Sequence, residues 1–475
     1  MNGSVDAMTE GTTSEKLPFW VKFGYGGAEF SASLMWTLFY VFFLFFLTDV
    51  VGVDPAKAGL IIAIGTVWDA IVTPMIGIYS DTRKWKRGRR RPFIFLSAVP
   101  YAITSWLLFS NFGLGATATF AFFTLAVILF FSAFSVEQVP YTSMAAEMTP
   151  SYTERTSLVT YRMGWSQVAG IIGAAAPLML VALFARVSDS PSVQWSASAG
   201  VLALICVPPI FLTWRTSRGR ELLPDETVVR WRDIWGSVVK NRPFRYTMAI
   251  FTCAIVAQNI SAAIIVYFMS YNLGFSEDRA SLAFLIYFAV GIVWVAPVGY
   301  LAKRWGKRWA LIVFYGTWLI SAGVILPFAG PGDREFVFWI SVLISTIGPI
   351  AGQLLTWAMI PDTVEVDQFK TGQRREGLYF GVATFTQKVG VALAVWICGV
   401  ILSGVGYVPN AEQTKGALLG IKLLCSEGTA LFILITMILA YLLPMNAVKH
   451  AALREAIKKK QNGEEYEAES LEGIV

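Results

Sequence analysis

Long apolar segments dominate the pattern of hydrophobic and polar positions along this chain. Runs of about twenty apolar residues, enough for a helix to cross the hydrocarbon core of a bilayer, recur about twelve times. The pattern predicts twelve membrane-spanning helices, numbered here as spans 1 to 12. They lie near residues 20–48, 57–79, 93–111, 116–148, 158–185, 196–215, 245–271, 280–303, 308–328, 336–360, 376–405 and 418–444.

Composition supports a membrane protein. Hydrophobic residues make up 55% of the 475 residues, charged residues make up 15%, and the mean hydropathy is +0.58. Soluble domains, in contrast, carry about 25% charged residues. We therefore expect a polytopic, all-α membrane protein.

Residue types that build catalytic or metal centres are scarce. His450, the single histidine, lies in the C-terminal tail, and the four cysteines are isolated in apolar runs. Such isolated cysteines are typical of small core residues rather than of metal ligands. We therefore expect neither an enzyme nor a bound cofactor.

The charged loops predict the orientation in the membrane. Seven basic residues follow span 2, eight occur in the segment 215–245, and four follow span 8, whereas loops on the other side carry about one each. Because Lys and Arg near helix ends resist translocation, both termini are expected in the cytoplasm. The protein would lie in the plasma membrane, or in the inner membrane of a bacterium. The net charge of +6 then needs no nucleic-acid partner.

The basic segment between spans 6 and 7 divides the chain into two sets of six spans. We expect a cytoplasmic N-terminal segment (1–18), an N-terminal six-helix half (19–215), a cytoplasmic linker (216–244), a C-terminal six-helix half (245–445) and a cytoplasmic tail (446–475). Two parallel six-helix halves are the architecture of the major facilitator superfamily.

An internal repeat supports this division. Span 2 leads into Gly77, Asp81 and Arg89, and span 8 leads into Gly299 and a second basic run. Each half therefore has a glycine, a charged turn and a short run of basic residues after its second span. A glycine at this place lets two helices approach closely.

A few ionisable side chains interrupt the predicted spans, where an unpaired charge is costly and marks a candidate functional site. They are Glu29, Asp69, Glu137, Arg162, Lys388 and Glu427. Two carboxylates (Glu29, Asp69) and two cations (Arg162, Lys388) can neutralise one another in an empty site. Exchanging these internal pairs for a cation and a polar substrate would couple the movements of the two.

Structural roles are the alternative for each of these residues. Asp69 and Lys388 would then only hold the halves together, and Glu29 would be solvated near one end of span 1. Arg162 would snorkel to the cytoplasmic interface, and Glu137 would face a structural partner. The residue pattern leaves these alternatives open.

Charged residues at the cytoplasmic ends of the spans are candidates for a gate. They are Asp81, Arg89, Glu147, Arg155, Asp362, Glu365 and Arg374. The first two follow span 2, the next two flank the end of span 4, and the last three lie in a charged segment after span 10. We expect that segment, 361–377, to form ion pairs between the halves that close the cytoplasmic side.

Several motifs together resemble one transporter family. They are Trp68-Asp69-Ala70-Ile71 with Pro74, Pro140-Tyr141, Glu154-Arg155, Tyr161-Arg162, Ile360-Pro361-Asp362 with Glu365, Lys370-Thr371-Gly372 with Arg374, Glu376-Gly377, Gln387-Lys388 and Gly406-Tyr407. From about residue 19 to 445 the chain resembles the glycoside–pentoside–hexuronide:cation symporter family of the major facilitator superfamily, which includes melibiose permease. The sodium-dependent lysophosphatidylcholine symporter of animals belongs to the same broad group.

The resemblance implies a cation site on span 2. Asp69 lies where the family has its principal cation-binding carboxylate. Thr73, one helical turn later, lies where melibiose permease has a second aspartate. A hydroxyl oxygen is still a ligand for Na⁺, a metal ion, but the site has lost a charge. Both Na⁺ and H⁺ therefore stay open as the coupling ion.

The resemblance also implies a substrate site between the halves. Glu29 matches an acidic sugar-binding position, Gln138 replaces a sugar-binding aspartate, and Arg162 matches an arginine near the substrate. Lys388 matches a lysine beside the cation-site acids. We assign these four residues and the nearby Trp165 to substrate binding.

We therefore expect secondary symport of a small molecule, a sugar or glycoside, by a lipid-embedded monomer whose halves rock about the site. One alternative keeps the fold but carries a lysolipid or another amphiphile, because Gln138 stands where the permease has an acid. A second alternative is a receptor or scaffold without transport. The presence of both Asp69 and Lys388 at mid-membrane weighs against that alternative.

Overall fold

The computed structural model describes residues 16–82, 90–149, 152–219, 240–372, 375–462 and 464. Within them it contains twelve helices long and apolar enough to cross a membrane, so the predicted fold class is confirmed. In order, spans 1 to 12 are Phe19–Val50, Pro55–Ser80, Arg91–Leu108, Ala116–Ala145, Ser157–Phe184, Pro191–Thr216, Arg242–Asn272, Glu277–Trp305, Lys307–Phe328, Gly332–Thr371, Leu378–Gly404 and Lys415–Leu442.

Several helices continue beyond these spans. The longer helices are Pro55–Thr82, Ala116–Met148, Tyr152–Phe184 and Glu376–Gly404. A further helix, the C-terminal helix, covers Ala447–Asn462. We call the end of the bundle where span 1 begins the near side, and the opposite end the far side.

Span 10 differs most from its predicted bounds. The sequence places its end at residue 360 because Pro361 and a charged segment follow, but the helix Ile347–Thr371 runs through Pro361. It ends at Gly372, whose positive φ of 74° suits a glycine cap. The acidic residues of the segment therefore lie on a helix rather than in a loop, which decides their partners.

Spans 1 and 7 end on the far side in the same unusual way. The last turn of each is a π-helix, Phe46–Val50 in span 1 and Phe268–Asn272 in span 7. A glycine with positive φ follows each turn, Gly52 at 82° and Gly274 at 68°. A residue with a side chain is strained in this conformation. Glycine is not, so the helix can end there and the next loop can begin.

These two far-side turns are copies of one pattern. Residues 46–53 read F-L-T-D-V-V-G-V and residues 268–275 read F-M-S-Y-N-L-G-F, with phenylalanine and glycine at equal positions. Spans 1 and 7 are the first spans of their halves, so the match supports parallel repeats. Asp49 and Tyr271 occupy equivalent positions in the two copies.

The halves meet along three pairs of spans. Span 2 packs along span 11, span 5 along span 8, and span 1 contacts span 7. Spans 2 and 11 cross tightly because a Cβ atom on Gly399 would lie 2.3 Å from Pro55 O. A Cβ atom on Gly59 would lie 3.1 Å from Trp396 Cα. The two glycines let the halves approach closely.

We expect Gly399→Val to lower thermal stability more than Gly381→Val in the same helix. The valine at position 399 must push the backbone of span 2 away, and overpacking of this kind costs about 1–3 kcal/mol. Gly381 is a matched control, since a Cβ atom there meets nothing within 4 Å. The midpoint of thermal unfolding in detergent measures both effects, and equal shifts would contradict the close crossing.

Candidate functional site

Asp69 lies halfway along the helix Pro55–Thr82 of span 2 and is completely buried, with 0% exposure. Lys388 of span 11 places its Nζ 2.7 Å from Asp69 Oδ2. The two side chains belong to different halves, so the ion pair joins the halves at mid-membrane. The attraction between the two opposite charges offsets the free-energy cost of burying each of them in an apolar environment.

Two hydroxyl groups complete what we call the Asp69 cluster, formed by Asp69, Thr73, Ser135 and Lys388. Thr73 Oγ1 donates to Asp69 Oδ1 at 3.1 Å, and Ser135 Oγ of span 4 donates to the same oxygen at 2.8 Å. The Lys388 ammonium donates to Thr73 Oγ1 at 2.5 Å and to the Asp69 carbonyl at 3.1 Å. A positive charge therefore sits among oxygen atoms only.

Ser135 was not predicted from the sequence. A signal was present, because Ser132, Ser135 and Gln138 recur every three residues along span 4 and so share one face of the helix. Ser132 lies in this row and accepts a hydrogen bond from the Trp68 indole at 2.9 Å. Ser132 and Ser135 of this row face span 2 near Asp69, whereas Gln138 faces Glu29 of span 1.

The donors of the Asp69 cluster fit a hard monovalent cation. The Asp69 carboxylate, the Thr73 hydroxyl and the Ser135 hydroxyl lie within hydrogen-bonding distance of one another. Hard cations take oxygen ligands of this kind. Only one of the three side chains is acidic, so an incoming cation must displace the charge of Lys388 to be bound by it.

A second group of polar side chains, the Glu29 cluster, joins spans 1, 4 and 5. Arg162 Nε lies 2.9 Å from Glu29 Oε2, and Gln138 Nε2 lies 3.5 Å from the same oxygen. Ser33 donates to Glu29 Oε1 at 3.4 Å. The Arg162 side chain keeps 23% exposure, so this pair is more accessible than the Asp69 cluster.

The structure thus brings together three of the predicted substrate-binding residues, Glu29, Gln138 and Arg162. It places Lys388 with Asp69 and Thr73 instead. Gln138 Oε1 is buried and has no hydrogen-bond partner in the described part of the chain. This oxygen is an acceptor that a substrate hydroxyl can use.

Trp165 supports span 1 next to the Glu29 cluster. Its indole nitrogen donates to the Phe23 carbonyl at 2.9 Å. Its ring fills the space above Gly26, where a Cβ atom would lie 2.1 Å from Trp165 Cδ1. Span 1 breaks at this glycine between the helices Phe19–Tyr25 and Gly27–Phe45. The predicted substrate-binding Trp165 therefore packs against the break in span 1, three residues before Glu29.

Span 4 links the Asp69 and Glu29 clusters. Ser135 contacts Asp69 and Gln138 contacts Glu29, and the two residues are three positions apart on one helix. At a rise of about 1.5 Å per residue, they are separated by about 4.5 Å along the axis. A shift of span 4 therefore changes both clusters together.

A third polar group, the far-side cluster, closes the bundle at the end of span 1. It consists of Thr48, Asp49, Tyr267, Tyr271, Tyr407 and Asn410. Asp49 is buried, and its carboxylate accepts hydrogen bonds from Thr48 at 2.6 Å and from Tyr407 at 2.5 Å. Tyr271 donates to the same carboxylate, and the Asn410 amide donates to the Asp49 carbonyl.

The far-side cluster joins the halves. Thr48 and Asp49 belong to the first half, whereas Tyr267, Tyr271 and Tyr407 belong to the second. Burial and the neighbouring Asp49 carboxylate raise the pKa of Tyr407, so its hydroxyl stays a donor. Hydrogen bonds to a charged acceptor are stronger than neutral ones, so one carboxylate holds several donors of the opposite half.

The sequence analysis did not identify Asp49 as a candidate. Its predicted span 1 ended at residue 48, which placed Asp49 in a loop where an acidic residue is ordinary. The detectable signal was the repeat of residues 46–53 at residues 268–275.

The predicted near-side gate is arranged differently from the expectation. Lys307 Nζ lies 2.7 Å from Asp362, and the Arg90 guanidinium lies 3.1 Å from Glu147. Arg155 donates to the Thr149 carbonyl at 2.8 Å. Each of these contacts stays within one half, so the expected pairing of Asp362 across the halves is wrong for this structure.

Glu365 pairs with the C-terminal helix. Its carboxylate lies 2.8 Å from His450 Nε2 and 3.2 Å from Arg454 Nε, both on the C-terminal helix. The reason is the continued helix of span 10, which turns the acidic side chains toward span 9 and the C-terminal helix. Asp81 lies in the last turn of the span 2 helix. Arg89 and Arg374 lie outside the described residues.

Comparisons with known proteins agree with this fold. The model of the family described as MFS/sugar transport protein matches residues 24–447. A Bacillus subtilis (strain 168) protein named Uncharacterized symporter YjmB is 28% identical over 456 residues, covering 94% of this chain and 97% of that protein. The Isoprimeverose transporter of Lactiplantibacillus pentosus is 26% identical over 430 residues, covering 86% of this chain and 85% of that protein.

A solved structure shows the same fold. It is a bacterial homologue of the human lysosomal transporter Spinster, in an inward-facing and unoccupied conformation. The TM-score is 0.65 at 12% identity, covering 94% of this chain and 98% of that one. The likeness extends through both six-helix halves.

We expect Lys388→Met to make thermal stability depend on Na⁺ more strongly than it does in the wild type. The substitution removes the ammonium that neutralises Asp69, and a cation bound in its place stabilises the folded protein by mass action. The gain is about 2.7 kcal/mol at a Na⁺ concentration about 100 times the Kd. The measurement is the thermal unfolding midpoint in NaCl and in choline chloride.

The control for this prediction is the double variant Lys388→Met with Asp69→Asn. It lacks both charges of the pair, so its unfolding midpoint should be equal in the two salts. An equal response of the single and the double variant to Na⁺ would show that Asp69 is not a ligand of this ion.

We expect Asp49→Asn and Tyr271→Phe to be strongly non-additive. Their hydrogen bond joins a charged acceptor to a donor of the other half, and such bonds contribute about 1.5–3 kcal/mol. A double-mutant cycle on unfolding in detergent measures the coupling. Tyr300→Phe, at 64% exposure, is the control partner and should add to Asp49→Asn within about 0.5 kcal/mol. Additivity with Tyr271→Phe as well would contradict the far-side bond.

Proposed function

The chain belongs to the MFS/sugar transport protein family, and on that premise we propose that it is a cation-coupled symporter that imports a sugar or glycoside by alternating access. The observation that carries the proposal is the Asp69–Lys388 pair. It is buried, lies at mid-membrane, and joins two halves that must move relative to each other in such a cycle.

The Asp69 cluster supplies a chemical route to cation binding. The Lys388 ammonium occupies the place that a cation would take among the oxygens of Asp69, Thr73 and Ser135. When Na⁺ binds, or when H⁺ neutralises Asp69, the lysine loses its partner and the contact between spans 2 and 11 weakens. Ion binding thereby changes the relative stability of two arrangements of the halves.

The Glu29 cluster supplies a route to substrate binding. A carboxylate, a guanidinium and an amide converge there, and each can bond to sugar hydroxyl groups. The L. pentosus relative is named as a transporter of isoprimeverose, a glycoside, which supports this class of cargo. Span 4 contacts both clusters, so substrate binding and cation binding can influence each other through Ser135 and Gln138.

The far-side cluster supports a cycle with alternating access. With both termini in the cytoplasm of a plasma membrane or bacterial inner membrane, the far side faces outward, and the Asp49 hydrogen bonds close the protein to the outside. Opening the outer side requires these bonds between the halves to separate.

The test is uptake of radiolabelled isoprimeverose and melibiose into proteoliposomes under an imposed Na⁺ or H⁺ gradient. We expect the gradient to accelerate uptake in the wild type and Asp69→Asn to reduce this acceleration at least tenfold, because the substitution removes the ion-binding charge. Exchange of substrate without a gradient should continue in Asp69→Asn. Asp278→Asn is the matched control, since Asp278 is exposed at the far-side end of span 8.

Two outcomes would contradict the proposal. Unchanged gradient-driven uptake in Asp69→Asn would remove the coupling role of Asp69. Saturable uptake of lysophosphatidylcholine with no uptake of either sugar would replace the proposed cargo by an amphiphile.

A further inference from the structure

Glu137 is a buried acid that the proposed mechanism does not use. It lies on span 4, next to Gln138, and has 0% exposure. In the described part of the chain neither carboxyl oxygen has a hydrogen-bond partner. An ionised carboxylate in such a place is very costly, so the group is neutral in this state.

Several titratable groups surround Glu137. The titratable groups close enough to interact with it come from four other spans and from its own span. They are Tyr25 and Glu29 of span 1, Tyr101 of span 3, Tyr141 of span 4, Arg162 of span 5 and Cys206 of span 6.

Two of the neighbouring hydroxyl groups donate to backbone carbonyls, whereas the buried Tyr141 hydroxyl has no hydrogen-bond partner in the described part of the chain. Tyr25 donates its hydroxyl to the Tyr141 carbonyl at 3.3 Å, and Tyr101 donates to the Ser31 carbonyl at 3.3 Å. The positive charge of Arg162 is paired with Glu29 at 2.9 Å. Among the charged groups named above, Arg162 is the single cation and Glu29 is the single competing carboxylate.

We propose that Glu137 is a proton-binding site of the transport cycle, protonated while Arg162 pairs with Glu29 and ionised when Glu29 is drawn to the substrate. This inference rests on the proposed function, because Glu29 leaves Arg162 only if a substrate binds there. Arg162 acts as the shared cation of the two carboxyl groups and pairs with one of them at a time.

The proton transfer from Glu137 needs no reactant other than solvent. When Glu29 turns to a sugar hydroxyl, the Arg162 guanidinium is left without a counter-charge and stabilises the anionic form of Glu137. The O–H bond of the Glu137 carboxyl breaks, its electron pair stays on the carboxylate, and the proton passes to solvent on the side where Arg162 is partly exposed. Substrate binding therefore releases one proton, and substrate dissociation takes one up.

The test needs no substrate. Infrared absorption of the purified full chain at pH 7 is compared between the wild type, Glu137→Gln and Glu29→Gln, in H₂O and in D₂O. We expect the carbonyl band of a neutral carboxylic acid in the wild type and its loss in Glu137→Gln. The same band should disappear in Glu29→Gln, because Arg162 then has Glu137 as its nearest carboxylate.

The outcomes separate this inference from the proposed function. A neutral-acid band that persists in Glu137→Gln, or one that is unchanged in Glu29→Gln, would overturn the inference whatever the uptake experiments show. If Glu137→Gln does not elute as a folded protein, Glu137→Asp replaces it, and the band should shift because the carboxyl group is displaced. An unshifted band in Glu137→Asp would also overturn the assignment.

Discussion

A charge inside a membrane must be neutralised, and the Asp69–Lys388 pair is how this protein meets that constraint. The pair is buried at mid-depth and its members come from different halves. Removing one partner of a buried pair is strongly destabilising, whereas replacing it by another cation keeps the balance. Spans 2 and 11, which carry the two members of the pair, also cross closely at Gly59 and Gly399.

Span 4 connects the Asp69 cluster to the Glu29 cluster. Its polar side chains follow one another along the helix: Ser135 faces Asp69, Glu137 lies in the interior of the first half, and Gln138 faces Glu29. A rigid helix carries all three, so none can move far without the others. The coupling proposed here therefore depends on a continuous backbone rather than on a chain of flexible contacts.

Much of this arrangement could be predicted from the sequence, and each residue that was missed or misplaced has a physical explanation. The spans follow from hydrophobic length alone, and Asp69, Lys388, Glu29 and Arg162 stand out because charges in apolar runs are rare. Ser135 was missed because a hydroxyl does not disturb an apolar pattern. Asp362 was expected to pair with the other half because Pro361 was taken to end span 10, whereas the helix continues and the Asp362 carboxylate pairs with Lys307 of the same half.

The divergence of the two halves at one position has a consequence for how they can touch. Asp49 and Tyr271 are counterparts in the repeated turns, yet they meet directly across the pseudo-symmetric interface. Two aspartates there would repel each other, and two tyrosines would offer no anion to bind. An acidic residue in one turn and a tyrosine at the equivalent position of the other thus make the two surfaces complementary.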